Sequence, residues 1–232
     1  MKQLVFEFGA PPEPTLENFI AGRNAEALQH IRDVARCGTG ERLVYLWGAS
    51  GSGRSHLLRA AARAASDAGA SVRYWICDPE VPISDEIMGH GFVALDDVNR
   101  MNAEAQLALF RLCERARGHE AVLLASGDVP PARLALRRDV QTRLAGGLVY
   151  EVHALSDEEK GEALRQRAVE RGFTLTDESV SYLMSRAPRD MPTLLTLVAA
   201  LDRYSLERKR PVTLALLRDL LNEAARHSER AP

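Results

Sequence analysis

Residues 42–67 constrain the fold more than any other stretch of this 232-residue chain. Arg42-Leu43-Val44-Tyr45-Leu46-Trp47 is a short apolar run that reads as a strand, and it leads directly into Gly48-Ala49-Ser50-Gly51-Ser52-Gly53-Arg54-Ser55. Residues 56–67 follow as an Ala-, Leu- and Arg-rich helix stopped by Gly69. The spacing is that of a phosphate-binding loop, GxxxxG[K]S, and the strand before it and helix after it give the pattern its weight. Glycines let successive backbone N–H groups converge on phosphate oxygens, the helix N-terminus adds partial positive charge, and a Ser hydroxyl at position 55 suits Mg2+. The plainer alternative is an ordinary Gly/Ser turn. Arg54 stands where the pattern has Lys. Its planar fork keeps the charge but fits a γ-phosphate transition state less well than a compact ammonium. Nucleotide binding with little or no intrinsic turnover is the expectation.

The same alternation continues along the chain. Residues 71–76, 92–95, 121–126 and 148–152 read as further strands, residues 15–36 as a turn then a helix, and Asn102 caps a helix through about Arg117. Strands alternating with helices predict an α/β fold with a parallel five-stranded sheet covered on both faces. After Ser156 everything reads helical, with predicted helices at 157–171, 177–187, 191–208 and 213–227. The expected division is a tail and linker at 1–14, a nucleotide-binding domain at 15–154 and a helical domain at 155–232. A formal charge of −2 and a pI near 6.3 give no bulk attraction to nucleic acid or acidic membranes. Cys37, Cys77 and Cys113 are far apart and lack metal-ligand spacing. With neither a leader pattern nor an apolar run of membrane-spanning length, the cytoplasm is the expected compartment.

A second constellation is Phe92-Val93-Ala94-Leu95-Asp96-Asp97, an apolar strand ending in two carboxylates. Beside a P-loop this is where an Mg2+-nucleotide is met. Asp96 would hold the metal directly or through water. Asp97 takes the place of a water-polarising Glu, one methylene shorter. Turn capping by both acids is the alternative. His56, His90, His119 and His153 have no partner at catalytic or metal spacing, and no GxSxG elbow accompanies the serines.

Taken together these residues resemble the AAA+ ATPases of the bacterial replication-initiator clade, and within it the regulatory inactivators of the initiator DnaA. The resemblance covers almost the whole chain. Thr15-Leu16-Glu17-Asn18-Phe19 with Gly22 and Asn24 is similar to the segment near the adenine, and Gly53-Arg54-Ser55-His56-Leu57-Leu58 to an Arg-bearing P-loop. Ser126-Gly127-Asp128 with Pro130-Pro131 is similar to the sensor-1 turn, and Leu155-Ser156-Asp157-Glu158-Glu159-Lys160 to the start of the lid. The resemblance implies an AAA+ P-loop NTPase domain followed by an all-α lid, binding ADP (or ATP) and Mg2+. The implied nucleotide contacts are Asn18, Phe19, Gly48, Ser50, Gly51, Ser52, Gly53, Arg54, Ser55, His56, Asp128 and Arg189, with Ser55 and Asp96 at the metal. At the lid's sensor-2 place stands Pro192, which carries no charge, and Arg189 is the nearest substitute.

Two further assignments follow from the resemblance. Arg143, in Gln141-Thr142-Arg143-Leu144, matches the arginine finger that AAA+ proteins insert into a neighbour's nucleotide site, with Asp97 as the second catalytic candidate. A solvated arginine in an Arg-rich loop is the alternative. Gln3, Leu4, Phe6 and Phe8 resemble the peptide by which bacterial proteins dock on the sliding clamp, the β subunit of DNA polymerase III. An edge strand folding back is the other reading of that tail. The implied partners are DnaA, the clamp, DNA only through the clamp, and no membrane, with a homodimer as a further option. The implied function is negative regulation of replication initiation by stimulating hydrolysis of DnaA-bound ATP. A non-catalytic, nucleotide-dependent adaptor that recruits DnaA or another AAA+ partner to DNA is the alternative.

Overall fold

The computed structural model describes residues 13–37, 40–81, 83 and 85–228. The chain divides between Ala154 and Leu155 into a sheet unit and a helical unit. In the sheet unit the order is α1 (Ala25–Cys37), β1 (Leu43–Trp47), α2 (Arg54–Asp67), β2 (Val72–Ile76), β3 (Phe92–Asp96), α3 (Ala103–Arg117), β4 (Val122–Gly127), α4 (Arg138–Ala145) and β5 (Leu148–Glu151). The five strands lie in the order β2-β3-β4-β1-β5, all parallel.

The strands read as continuous apolar runs because both faces are covered. Successive residues point to opposite faces. Leu43 and Tyr45 of β1, Val93 and Leu95 of β3, and Leu123 and Ala125 of β4 pack with Leu109 and Leu112 of α3 and Val140 and Leu144 of α4. Val44, Leu46, Phe92, Ala94, Val122 and Leu124 face the other way, against Leu28 and Ile31 of α1 and Leu57, Leu58 and Ala61 of α2. Each fully buried leucine contributes about 1.5–3 kcal/mol.

Strand order then decides where the chemistry sits. β4 lies between β1 and β3, with Leu46 beside Ser126 and Leu95 beside Ala125. The glycine-rich loop after β1 and the two acids closing β3 therefore flank the turn that follows β4, at the carboxyl ends where open α/β sheets bind ligands.

The helical unit holds α5 (Asp157–Glu170), α6 (Asp177–Arg186), α7 (Met191–Arg208) and α8 (Leu214–Ser228) around Leu164, Leu183, Leu194, Leu197, Leu201, Leu216 and Leu217. Each start is written in the sequence. Ser156 and Glu159 form a reciprocal capping box, and Thr176, Asp190 and Thr213 accept from the N–H groups of Ser179, Thr193 and Leu216. The structure differs from expectation mainly at turns. α2 begins at Arg54 instead of 56, because Gly53 completes the reversal at φ +103° and leaves Arg54 free to be helical. Short 3-10 turns at Asp85–Gly89, Val98–Arg100 and Pro131–Arg133 have no periodicity from which to be read.

Candidate functional site

The loop between β1 and α2 is shaped by close packing as well as by its glycines. A Cβ on Gly48 would lie 2.3 Å from the carbonyl oxygen of Val152, so any side chain there collides with backbone. No side chain caps α2, whose cap residue is Gly53. The N–H groups of its first turn are thus available to an external acceptor. Two buried donors in the same loop, Ser52 Oγ and Arg54 Nη1, have no partner within the described residues. Unpartnered buried donors are costly. Together with the uncapped helix they form a cavity chemistry that fits phosphate oxygens.

The other guanidinium nitrogen of Arg54, Nη2, lies 3.5 Å from Asp97 Oδ1, and the Arg54 side chain is only 12% exposed. Asp97 sits in the left-handed region at φ 57°, ψ 54°, a conformation that Asp tolerates better than most residues. Burial and the neighbouring Asp96 charge hold its carboxyl above the usual range, against the pull of Arg54. Asp97 therefore faces the cation of the glycine-rich loop after β1.

Asp96 is buried and differently engaged. Its Oδ1 accepts from the Ser126 hydroxyl at 2.5 Å and its Oδ2 from the Tyr74 hydroxyl at 2.7 Å. Ser126 Oγ in turn accepts from the Asp97 N–H at 3.0 Å, tying the ends of β3 and β4 together. Burial pushes the Tyr74 phenol up to about 12, so it stays a donor. Each carboxylate oxygen keeps a further acceptor direction. With both oxygens already hydrogen-bonded, Asp96 would meet Mg2+ most readily through water, while Ser55 sits in the first turn of α2. Among the described residues no group of three His, Cys, Asp or Glu could hold a metal.

The segment near residues 15–24 is stapled onto this loop. The Phe19 ring lies 2.8 Å from the position of a Cβ on Gly53, and 5.4 Å, centroid to centroid, from the His56 ring. His56 Nε2 donates to the Thr15 carbonyl at 3.1 Å, and burial lowers its pKa, which keeps it neutral. Asn18 is turned to local structure: its Oδ1 accepts from the Thr15 N–H while its own N–H donates to Thr15 Oγ1. Buried Asn24 closes the far end through paired hydrogen bonds of 2.9 and 2.8 Å with the His153 backbone.

Asp128 is exposed on the turn after β4, which Tyr45 secures by donating to the Val129 carbonyl at 2.8 Å. Its charge is felt at both Tyr45 and Asp97. Ser126, rather than Asp128, makes the direct contact with Asp96. Ser126 and Asn24 enter the sequence reading only as parts of the sensor-1 turn and the adenine-side segment, and Tyr74 only within a strand; none is expected to make these contacts. For Ser126 the signal was available, a lone hydroxyl ending an otherwise apolar strand beside the acid-tipped one.

Arg143 stands apart, in the last turn of α4. Its Nε is 2.8 Å from Glu114 Oε1 on α3, its guanidinium lies 5.5 Å from the Phe110 ring centre, and its side chain is 34% exposed. Arg189, in the helical unit, pairs with Asp157 at 2.8 Å, and Pro192 occupies the first turn of α7. Gln3, Leu4, Phe6 and Phe8 lie outside the described residues. Cys77 and Cys113 are buried thiols, each pushed up to about 12 by burial. Among the described residues no helix is long and apolar enough to cross a membrane.

Comparison with known proteins decides the family. A model of the lid domain of Hda matches residues 157–221. A Haemophilus influenzae protein of uncharacterised function is 32% identical over 235 residues, spanning 95% of this chain and 99% of its own length. The chain belongs to the Hda-like family of DnaA-related AAA+ proteins. The fold of this Hda-like chain is also that of solved initiators. AMPPCP-bound DnaA from Aquifex aeolicus superposes with a TM-score of 0.68 at 23% identity, covering 85% of this chain and 68% of that one. Domain III of Thermotoga maritima DnaA gives 0.66 at 18% identity, with 94% and 99% covered. The AAA+ architecture, a parallel five-stranded sheet with an all-helical lid, is common to them.

Proposed function

We propose that this Hda-like protein is a negative regulator of chromosomal replication initiation. It holds ADP in its own P-loop, docks on the DNA-loaded sliding clamp, and stimulates hydrolysis of the ATP carried by DnaA through Arg143. The observation that carries the reading is the contrast between a P-loop arginine engaged by its neighbouring acid and an arginine held at the surface of α4. Family membership supports DnaA as the partner and residues 3–8 as the clamp-docking segment.

In this reading the first turn of α2, Ser52 and Arg54 hold the phosphates of the bound nucleotide, and Phe19 and His56 keep the 15–19 segment against the loop. A bound Mg2+ would shield phosphate charge between Ser55 and Asp96. Asp97, drawn to Arg54, is poorly placed to polarise an attacking water, so intrinsic turnover is slow. Arg143 meets the partner's nucleotide and stabilises charge building on its γ-phosphate, an effect of about 10³–10⁵ in rate for arginine fingers.

The test is hydrolysis of radiolabelled ATP pre-bound to DnaA, with and without this protein, DNA-loaded clamp and ADP. Acceleration that requires all components is the expected result. Clamp binding without acceleration would leave a nucleotide-dependent adaptor as the function.

A further inference from the structure

We infer that Glu114 is a positioning residue that orients Arg143 for its partner. The inference rests on the reading of Arg143 as a finger acting in trans. α4 is anchored before Arg143 is reached. Val140 and Leu144 are fully buried, the Arg137 N–H donates to the buried side chain of Gln106 at 2.9 Å, and Gln141 Nε2 donates to the Leu134 carbonyl at 2.7 Å. The backbone under Arg143 is thus fixed to α3 and to the turn after β4. The side chain is long, and a fixed backbone alone leaves it many rotamers. Glu114 and Phe110, on successive turns of α3, remove that freedom together, one gripping Nε at 2.8 Å and the other lying against the guanidinium face.

The grip is on the nitrogen nearest the aliphatic stem. The two terminal nitrogens, which fork onto a phosphate, are left as the outer end of the side chain. Arg117 Nη1 lies 3.8 Å from Glu114 and Arg143 Nε 2.8 Å from the same carboxylate, so the cluster keeps a net positive charge and still attracts an anion. A guanidinium ordered in advance loses little freedom when it meets the terminal phosphate of a partner's nucleotide, and an error of about 1 Å in such a group costs on the order of a hundredfold in rate. Glu114 is about half-exposed and supports nothing in the core, so its removal leaves the fold intact.

The experiment measures hydrolysis of DnaA-bound ATP by the full chain with ADP and DNA-loaded clamp, at a series of protein concentrations. Glu114→Ala is expected to lower the maximal stimulated rate by about tenfold. The half-saturating concentration should stay within twofold, and Glu114→Gln, which keeps an acceptor for Nε, should recover most of the rate. An unchanged or faster Glu114→Ala variant overturns the inference, the faster one making Glu114 a restraint. So does a change confined to the half-saturating concentration, which would make it a contact residue, or an equal loss in Glu114→Gln. Arg143→Ala in the same assay separates the two claims. If that variant is fully active, the finger reading itself fails. If it is inactive and Glu114→Ala is normal, only the positioning role fails.

Discussion

Arg54 and Arg143 belong to the same sheet unit and carry the same group, yet their surroundings set them opposite tasks. Arg54 is nearly buried, shares its fork between an acid 3.5 Å away and an unpartnered inward side, and starts the helix that faces the loop. Arg143 lies in the last turn of a short helix, is one-third exposed, and is held at Nε by an acid on the neighbouring helix. A guanidinium enclosed beside a carboxylate is suited to retaining an anion. One held near its stem at the surface is suited to meeting an anion carried by another molecule.

Arg143→Ala should have the largest effect and breaks the comparison directly. The stimulated hydrolysis rate should fall by about 10³, roughly 4 kcal/mol in the barrier, as for fingers in other phosphoryl transfers. Folding stability should change by no more than about 1–2 kcal/mol, because the losses are a surface ion pair and a partly exposed contact with the Phe110 ring. Nucleotide binding to this chain, measured by fluorescence with a labelled ADP, should be unaltered. A comparable loss of nucleotide affinity would show that the two arginines do not act separately.

Ser126→Ala sharpens the other side. It deprives buried Asp96 of a donor and the Asp97 N–H of its acceptor at once. The cost should be about 2–3 kcal/mol, read as a fall in Tm of roughly 4–12 °C for a chain of this size. Loss of Mg2+-dependent nucleotide affinity should accompany it, with the Arg143 face untouched. A variant as stable as the parent would mean that water replaces the hydroxyl without penalty.

The two regions were unequally legible in the sequence. The glycine spacing, the apolar runs and the punctuation at Gly172, Pro188 and Pro211 announced the P-loop, the strands and the lid helices to within one residue, because each depends on neighbours within a few positions. Ser126, Tyr74 and Asn24 depend on chain separated by dozens of residues: Asp96 reaches Ser126 only because β4 lies beside β3, and Asn24 meets His153 across the unit. Strand order is not written in any local pattern, and neither are these contacts. Glu114 is the same case, since an acid near the end of an amphipathic helix reads as a solvated residue until α4 is packed against it. Asn18, implied as a nucleotide contact, makes a turn with Thr15 that involves only neighbours three positions apart, its amide oxygen accepting from the Thr15 N–H.

A third arginine tests how far the contrast extends. Arg189 is the basic residue nearest in sequence to Pro192 at the lid position, and its pairing with Asp157 is open to solvent, with the two side chains 61% and 57% exposed. Exposed pairs contribute at most about 1 kcal/mol, so the hold of Asp157 on Arg189 is a weak one. If Arg189 stands in for the lid arginine, Arg189→Ala should weaken ADP binding by about fivefold, and Asp157→Asn, which releases the guanidinium, should tighten it by a similar or smaller factor. Titration of both variants with labelled ADP measures the two shifts, and their opposite signs are the decisive feature. Stability should move by no more than about 0.5 kcal/mol in Arg189→Ala. Unchanged affinity in both would place Arg189 among the surface pairs of the lid and leave Arg54 as the arginine on which nucleotide retention depends.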